Sequence, residues 1–154
     1  VLPDPNYRQL SDIAIQTSGN FKKLTGITPR TAFLSFSTKG SAANHSTKKV
    51  LDAFKLTRRL EPGLLCDGEL QFDTAFIPSV ARRKDPKGAL KGKANVFIFP
   101  DLNSGNIAYK ITERIGGAIA TGPIVQGLAQ PVMDLSRGCS ASDITNMVTI
   151  ASLI

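Results

Sequence analysis

Tryptophan is absent from this chain, histidine occurs once, and cysteine stands only at positions 66 and 139. Two cysteines cannot build a disulfide framework; they fit a reducing compartment, so a cytoplasmic location is expected. The lone His45 has no second soft ligand near it, which leaves a zinc-type site unsupported. No run approaches the roughly 20 apolar residues of a membrane span, so no membrane role is expected. The opening Val1-Leu2-Pro3-Asp4-Pro5 has neither the basic start nor the apolar middle of a secretion signal. No initiating Met precedes it, as in an excised segment. Aromatic residues make up 6% of the chain and do not interleave with the Lys and Arg clusters, which argues against nucleic acid as a partner.

What is present is enough for one ordinary core: 154 residues, 42% of them hydrophobic. The formal charge of +7 comes from 19 basic against 12 acidic side chains, which suits an anionic partner. A small polyphosphorylated ligand would use that charge locally.

Along the chain, Asp4-Pro5 reads as a helix start, and Leu10, Ile13, Ala14, Thr17, Phe21 and Leu24 give residues 6–25 a helical period that Gly26 stops. Thr31 to Ser37 reads as a strand leaving through the polar loop Thr38-Lys39-Gly40-Ser41, a weak anion signal. Residues 46–60 form a helix with Val50, Leu51, Phe54 and Leu60 inward and a solvated basic face outward. A strand broken by Asp67-Gly68 follows over 64–71. Its Asp67 and Glu69, with Asp73, alternate as metal ligands might be spaced, but hard cations take more oxygens from one loop, so no metal is expected. Arg82 to Gly88, with Lys91 and Lys93, reads as an exposed basic loop able to grip a phosphate.

Asn95 to Pro100 is a continuous apolar run, hence a buried and parallel strand. A helix capped by Asp101 or Asn103 then runs to Gly116-Gly117. Asn103, Asn106, Lys110 and Arg114 fall on one polar stripe of it, with Lys110 and Arg114 a turn apart and able to reach one anion. A further strand is expected at Ala118-Ile119-Ala120. Strands alternating with helices give an α/β fold with a parallel or mixed sheet and flanking helices.

The chain ends on its most chemical stretch. Pro131 to Leu135 reads as a strand, Ser136-Arg137-Gly138 as a tight turn, and Ser140 onward as a helix carrying Ile144, Val148 and Ala151 on one face. A strand turning sharply into a helix presents backbone N–H groups and a positive dipole end at one point. Beside that point stand a hydroxyl (Ser136), a guanidinium (Arg137), a thiol (Cys139) and a carboxylate (Asp143), a set suited to phosphates. The plainer alternative stays open: Ser140-Ala-Ser-Asp143 fits a capping box, Arg137 a surface charge and Cys139 a small core residue.

Several stretches together resemble the phosphate acetyltransferase family: Asp67-Gly-Glu-Leu-Gln71, Asn95 through Lys110, Gly122-Pro-Ile-Val-Gln-Gly127 and Asp134-Leu-Ser-Arg-Gly-Cys139. The likeness runs along essentially the whole chain. Phosphate butyryltransferases and the transferase-like tail of some malic enzymes share the sheet but differ around the Ser-Arg-Gly-Cys turn. The resemblance implies acetyl transfer between coenzyme A and phosphate, with no permanently bound cofactor. It implies a two-domain fold of the isocitrate/isopropylmalate dehydrogenase type, a homodimer, and a site in the interdomain cleft. Ser136, Arg137 and Asp143 match the family's catalytic positions. Lys84, Lys110 and Arg114 match positions that hold coenzyme A phosphates, and Cys139 and Ile150 match contacts near the pantetheine arm. Family members are about twice this length, so the chain corresponds to a C-terminal half, with 1–122 most of one domain and 123–154 a return segment of the other. Such a half is expected to be inactive alone and partly under-packed.

The implied chemistry is direct transfer in a ternary complex, Asp143 taking the thiol proton, Arg137 neutralising phosphate and Ser136 donating to the oxyanion. A thiol near pKa ~8.5 and a carboxylate near ~3.9 are badly matched, so either Asp143 is desolvated and raised or nearby cations stabilise the thiolate. A covalent route through Ser136 or Cys139 is the internal rival. A non-catalytic module sensing coenzyme A or acetyl phosphate, or a butyryl preference, are the external ones.

Overall fold

A computed structural model describes residues 2–135 and 137–153. Helix α1 (Tyr7–Thr25) starts two residues later than Asp4-Pro5 suggests, because Asn6 is the better cap. Its side chain accepts from the N–H groups of Arg8 and Gln9, and Gln9 returns a bond to the Asn6 N–H. Asp4 instead pairs with Lys49, 2.5 Å away on the next helix. Gly26 closes α1 at φ 71°, a left-handed cap that glycine adopts without steric cost.

Strand β1 (Thr31–Leu34) is buried along its length and lies at the centre of a parallel sheet of order β2-β1-β3, with β2 spanning Cys66–Leu70 and β3 Val96–Ile98. Helix α2 (His45–Leu60), capped by Asn44 and Thr47, joins β1 to β2. Phe33, Cys66, Val96 and Ile98 pack on one face with Leu10 and Ala14 of α1 and Val50, Ala53 and Phe54 of α2. Ala32, Leu34 and Leu70 pack on the other with Ala75, Leu90 and Ala94. Hydroxyls join the layers where apolar contact runs out: Ser11 meets Thr57 at 2.8 Å and Ser18 meets Thr31 at 2.7 Å. Leu60, expected inward, is half exposed at the last turn of its helix.

Strand β2 runs through Asp67-Gly68 without a break. Strict alternation would put Cys66 and Leu70 on one face, yet they pack on opposite faces. The ladder supplies the reason: Ala32 pairs with Asp67 but Leu34 with Leu70, so β2 carries one extra residue and its phase flips. Gly68 occupies that irregularity, where a Cβ would stand 2.7 Å from Phe33 Cβ and 3.3 Å from Phe54 Cβ.

Beyond β2 stand two short helices, α3 (Phe72–Phe76) and α4 (Pro78–Lys84); the second takes in Arg82 to Lys84, the start of the expected basic loop, while residues 85–88 form no helix. Pro78 presets the first turn of α4, and Arg82, Arg83 and Lys84 fall in its last turn, where cations oppose the dipole's negative end. The polar loop after β1 is tied down from within. Glu69 Oε1 accepts from Ser37 Oγ at 3.0 Å and from the Gly40 N–H at 2.6 Å. Asp67 takes Lys39, with the Gly68 N–H at 2.9 Å and the Ala89 N–H at 3.0 Å. The donors that read as an anion loop are thus used by the protein's own carboxylates.

Helix α5 (Leu102–Arg114), capped by Asp101, buries none of its residues. Residues 118–120 form no strand, and Ile119 is 83% exposed. Among the described residues no strand pairs with it, the Ala118 N–H donating to Thr112 O at 3.3 Å; the pairing falls further on, between the antiparallel β4 (Ile124–Val125) and β5 (Val132–Met133). Gln126 ties this segment to α1, its Nε2 donating to Thr17 Oγ1 at 3.0 Å. Helix α6 (Ala141–Ala151) ends the described chain; Met147 is its buried residue, while Ile144 and Val148 face outward. No helix among the described residues is long and apolar enough to cross a membrane.

The tight seat of Gly68 gives a stability prediction. Gly68→Ala should destabilise the purified chain by about 1–3 kcal/mol, the usual cost of overpacking. A urea unfolding midpoint equal to that of the parent would mean the Phe33–Phe54 wall yields freely.

Candidate functional site

A cavity of about 400 Å³ opens between α5, the segment around Gly122 and the start of α6. From α5, Asn106, Lys110 and Arg114 face it, because their spacing places them on one side of the helix. Across from them stand Cys139, Asp143 and Asn146. The Lys110 ammonium also lies 5.1 Å from the Tyr109 ring centroid, and Arg114 Nε is 3.4 Å from Glu113 Oε2. Two cations one turn apart thus face a thiol and a carboxylate over a space large enough for part of a small ligand.

The structure brings Lys110, Arg114, Cys139 and Asp143 to this one cavity. It does not bring Lys84, whose ammonium is held 2.9 Å from both Asp73 Oδ2 and Gln71 Oε1 on the far side of the sheet's edge. The Lys84 bond, ahead of weaker contributions, holds the Asp73 carboxyl below its usual range. Arg137 is exposed on the turn and Ile150 is half-buried further along α6; neither is part of the cavity wall. Ser136 lies outside the described residues. Asn103 is drawn to another hollow, beside Asp4 and His45.

Sequence reasoning passed over Tyr109, Glu113, Asp134 and Asn146, which also line the space. Asn146 had a signal, since it follows Asp143 by three positions on the same helix. Asp134 stands at the head of the Asp134 to Cys139 motif, but only the fold of the return segment carries it to the cavity.

Asp143 corrects one expectation. Its carboxyl is not desolvated and raised; hydrogen bonds from the Ser140 backbone N–H and then the Ser140 hydroxyl hold it below the ordinary carboxylate range. Oδ2 lies 2.7 Å from Ser140 N and 2.9 Å from Ser140 Oγ, and the Asp143 N–H donates back to Oγ at 3.2 Å. The capping box is therefore real, and it coexists with a place on the cavity wall.

A second hollow, of about 550 Å³, lies under α2 and includes Lys39, Phe54, Arg58, Asp67 and Asp85. Lys39 Nζ and the Arg58 guanidinium sit 5.4 and 5.7 Å from the Phe54 ring centroid, both within cation–π range. Burial pushes the Asp85 carboxyl up; Lys39 opposes the shift and Asp67 adds to it. Its charges are satisfied mainly by one another, so it reads as internal scaffolding. Among the described residues no three His, Cys, Asp or Glu side chains gather as a metal site requires.

The chain is thus of the α/β class, with two cations facing a thiol and a carboxylate near a helix start. The "Phosphate acetyl/butaryl transferase" family model matches residues 1–152, and the chain belongs to that family. It is 53% identical over 148 residues to the phosphate acetyltransferase of Bacillus subtilis, covering 96% of this chain and 46% of that protein. A phosphotransacetylase structure from Streptococcus pyogenes superposes with a TM-score of 0.94 at 48% identity, covering 99% of this chain and 46% of the other. The EutD phosphotransacetylase structure from Staphylococcus aureus gives 0.91 at 44%, covering 100% and 48%. The chain spans about half the length of the relatives it matches.

The two cysteines should respond differently to reagents. Cys66 is buried, and burial, offset in part by Arg58, pushes its thiol up to about 11. Cys139 is partly exposed on the cavity wall. Iodoacetamide at pH 8 should alkylate Cys139 and spare Cys66, as read by peptide mass spectrometry; equal labelling would contradict the burial. Because the folded thiol ionises later than the unfolded one, its contribution to stability is whole below about pH 9 and declines as pH rises toward about 11.

Proposed function

We propose that this chain is the C-terminal half of an enzyme that moves an acetyl group between coenzyme A and inorganic phosphate. The single observation that supports it best is Lys110 and Arg114 facing Cys139 and Asp143 across one cavity. The matched relatives' names, phosphate acetyltransferase and phosphotransacetylase, support the same substrates. In this proposal Lys110 and Arg114 grip phosphates of coenzyme A, and Cys139 and Ile150 lie along its pantetheine arm. Lys84 contributes to coenzyme A binding only if it exchanges Asp73 for a ligand phosphate.

The proposed chemistry is direct. The coenzyme A thiol gives its proton to Asp143, and the thiolate attacks the carbonyl carbon of acetyl phosphate. The carbon–oxygen bond to phosphate then breaks and phosphate leaves with the electron pair. Ser136 donates to the developing oxyanion and Arg137 neutralises the phosphate. Since Ser140 keeps Asp143 a weak base, cations beside the sulfur must stabilise the thiolate, and Arg137 on the adjoining turn is placed in sequence to do so.

The same proposal assigns residues 1–122 to most of one domain and 123–154 to a segment completing the other, in a two-domain arrangement of the isocitrate/isopropylmalate dehydrogenase type. The exposed apolar residues of α5 and α6, including Ile107, Ile111 and Val148, with Ile115 just past the end of α5, support a partner surface for the remaining half. A homodimer working in the cytoplasm, with coenzyme A as substrate and no resident cofactor, completes it.

The test is formation of acetyl-coenzyme A from acetyl phosphate by the longest natural polypeptide carrying these residues. It should turn over, whereas the 154 residues alone should not. Lys110→Ala and Arg114→Ala should each raise KM for coenzyme A about tenfold, the loss of one charge-assisted contact, with kcat changed little. Coenzyme A binding without turnover would favour a sensor, and faster turnover with butyryl phosphate would move the acyl preference. Asp143→Asn at full rate would remove the base.

A further inference from the structure

The helix start uses only one of the two carboxylate oxygens of Asp143. Oδ2 takes both the backbone N–H and the hydroxyl of Ser140, while among the described residues Oδ1 accepts no hydrogen bond. An ordinary capping box requires less. The acid's side chain reaches the cap's N–H and the cap's side chain reaches the acid's N–H. Here the Ser140 hydroxyl does more: it accepts from the Asp143 N–H and also donates its single proton to Oδ2. Two donors on one oxygen restrain both side-chain torsions of a residue that would otherwise turn freely at the mouth of a cavity. Asp143 lines that cavity and Ser140 does not.

We propose that Ser140 is a positioning residue: its hydroxyl and N–H clamp Oδ2 so that Oδ1 is the oxygen presented to the substrate thiol. The inference rests on the acyl-transfer function proposed above. The titratable groups sharing the wall with Asp143 are Tyr109, Lys110, Glu113 and Arg114 from α5, and Asp134 and Cys139 from the chain before α6. These remain in place in every variant below, so the limb shift in the uncharged Ser140→Ala reports on the clamp, while Ser140→Asp adds a like charge to it.

The test uses Ser140→Asp, Ser140→Ala and Ser140→Thr in the full polypeptide, with pH profiles of kcat/KM. Aspartate is as good an N-cap as serine, so the helix keeps its start. It cannot donate to Oδ2, however, and it sets a like charge beside Asp143. Ser140→Asp should move the acid limb to higher pH and lower kcat by about 10- to 100-fold, the scale of a misplaced reacting group, with KM for coenzyme A little changed. Ser140→Ala should shift the limb in the same direction, and Ser140→Thr should restore rate and limb because the hydroxyl returns. Ser140→Asp with the parent's limb and kcat, or a loss confined to KM, would overturn the positioning role. If Ser140→Ala unfolds, Ser140→Gly, an uncharged cap without a hydroxyl, takes its place, its folding checked by thermal denaturation. Failure of the underlying function looks different: no acetyl transfer in the parent, or full activity in Asp143→Asn. Activity that depends on Asp143 but ignores residue 140 sinks only this inference.

Discussion

Two carboxylates buried on an edge strand hold this structure in register. Asp67 and Glu69 are 5% and 2% exposed, and a charge so placed would be costly without partners. Each carries at least two protein donors, and most of those come from the loop that leaves β1. The central strand's exit is thereby fixed to its neighbour, α2 starts from a defined point, and the helix can bury Val50 and Phe54 against Phe33. The extra residue in β2 belongs to the same arrangement. It lets Cys66 fill one face of the sheet and Leu70 the other within a single strand.

The candidate site is built on different ground. It stands apart from the sheet's core, on α5 and α6 and the short antiparallel pair between them. Those elements bury little of their apolar surface, and only Met147 of α6 is fully covered. A site on thinly packed elements depends on local bonds for its geometry, and the capping box around Ser140 and Asp143 is such a bond set. Lys110 and Arg114 need less support, because the helix period alone keeps them on one face.

Sequence periodicity was a good guide wherever one face of an element had to be buried. The stripes of α1 and α2 and the apolar β3 are all legible, since burial selects residue type at fixed spacing. It was a poor guide wherever partners decide. Thr38-Lys39-Gly40 looks like an anion loop because its donors are plain in the sequence, whereas the carboxylates that consume them lie some 30 residues away on β2. Arg82 to Lys84 looks like a loop because charge masks the short helix that Pro78 begins. Ala118 to Ala120 has strand-like residues but no strand beside it.

The sequence by itself determined the α/β class, the family motifs, the paired cations of α5 and the capping signature at Ser140 and Asp143, since each depends on residues close along the chain. Tertiary structure alone decided that α5 and α6 close on one cavity and that Lys84 stands elsewhere, held by Asp73. It also decided that Asp143 is held low by its own helix start instead of raised by burial. Those outcomes depend on solvent exposure and on which donors arrive from distant segments, quantities that spacing along a chain does not contain.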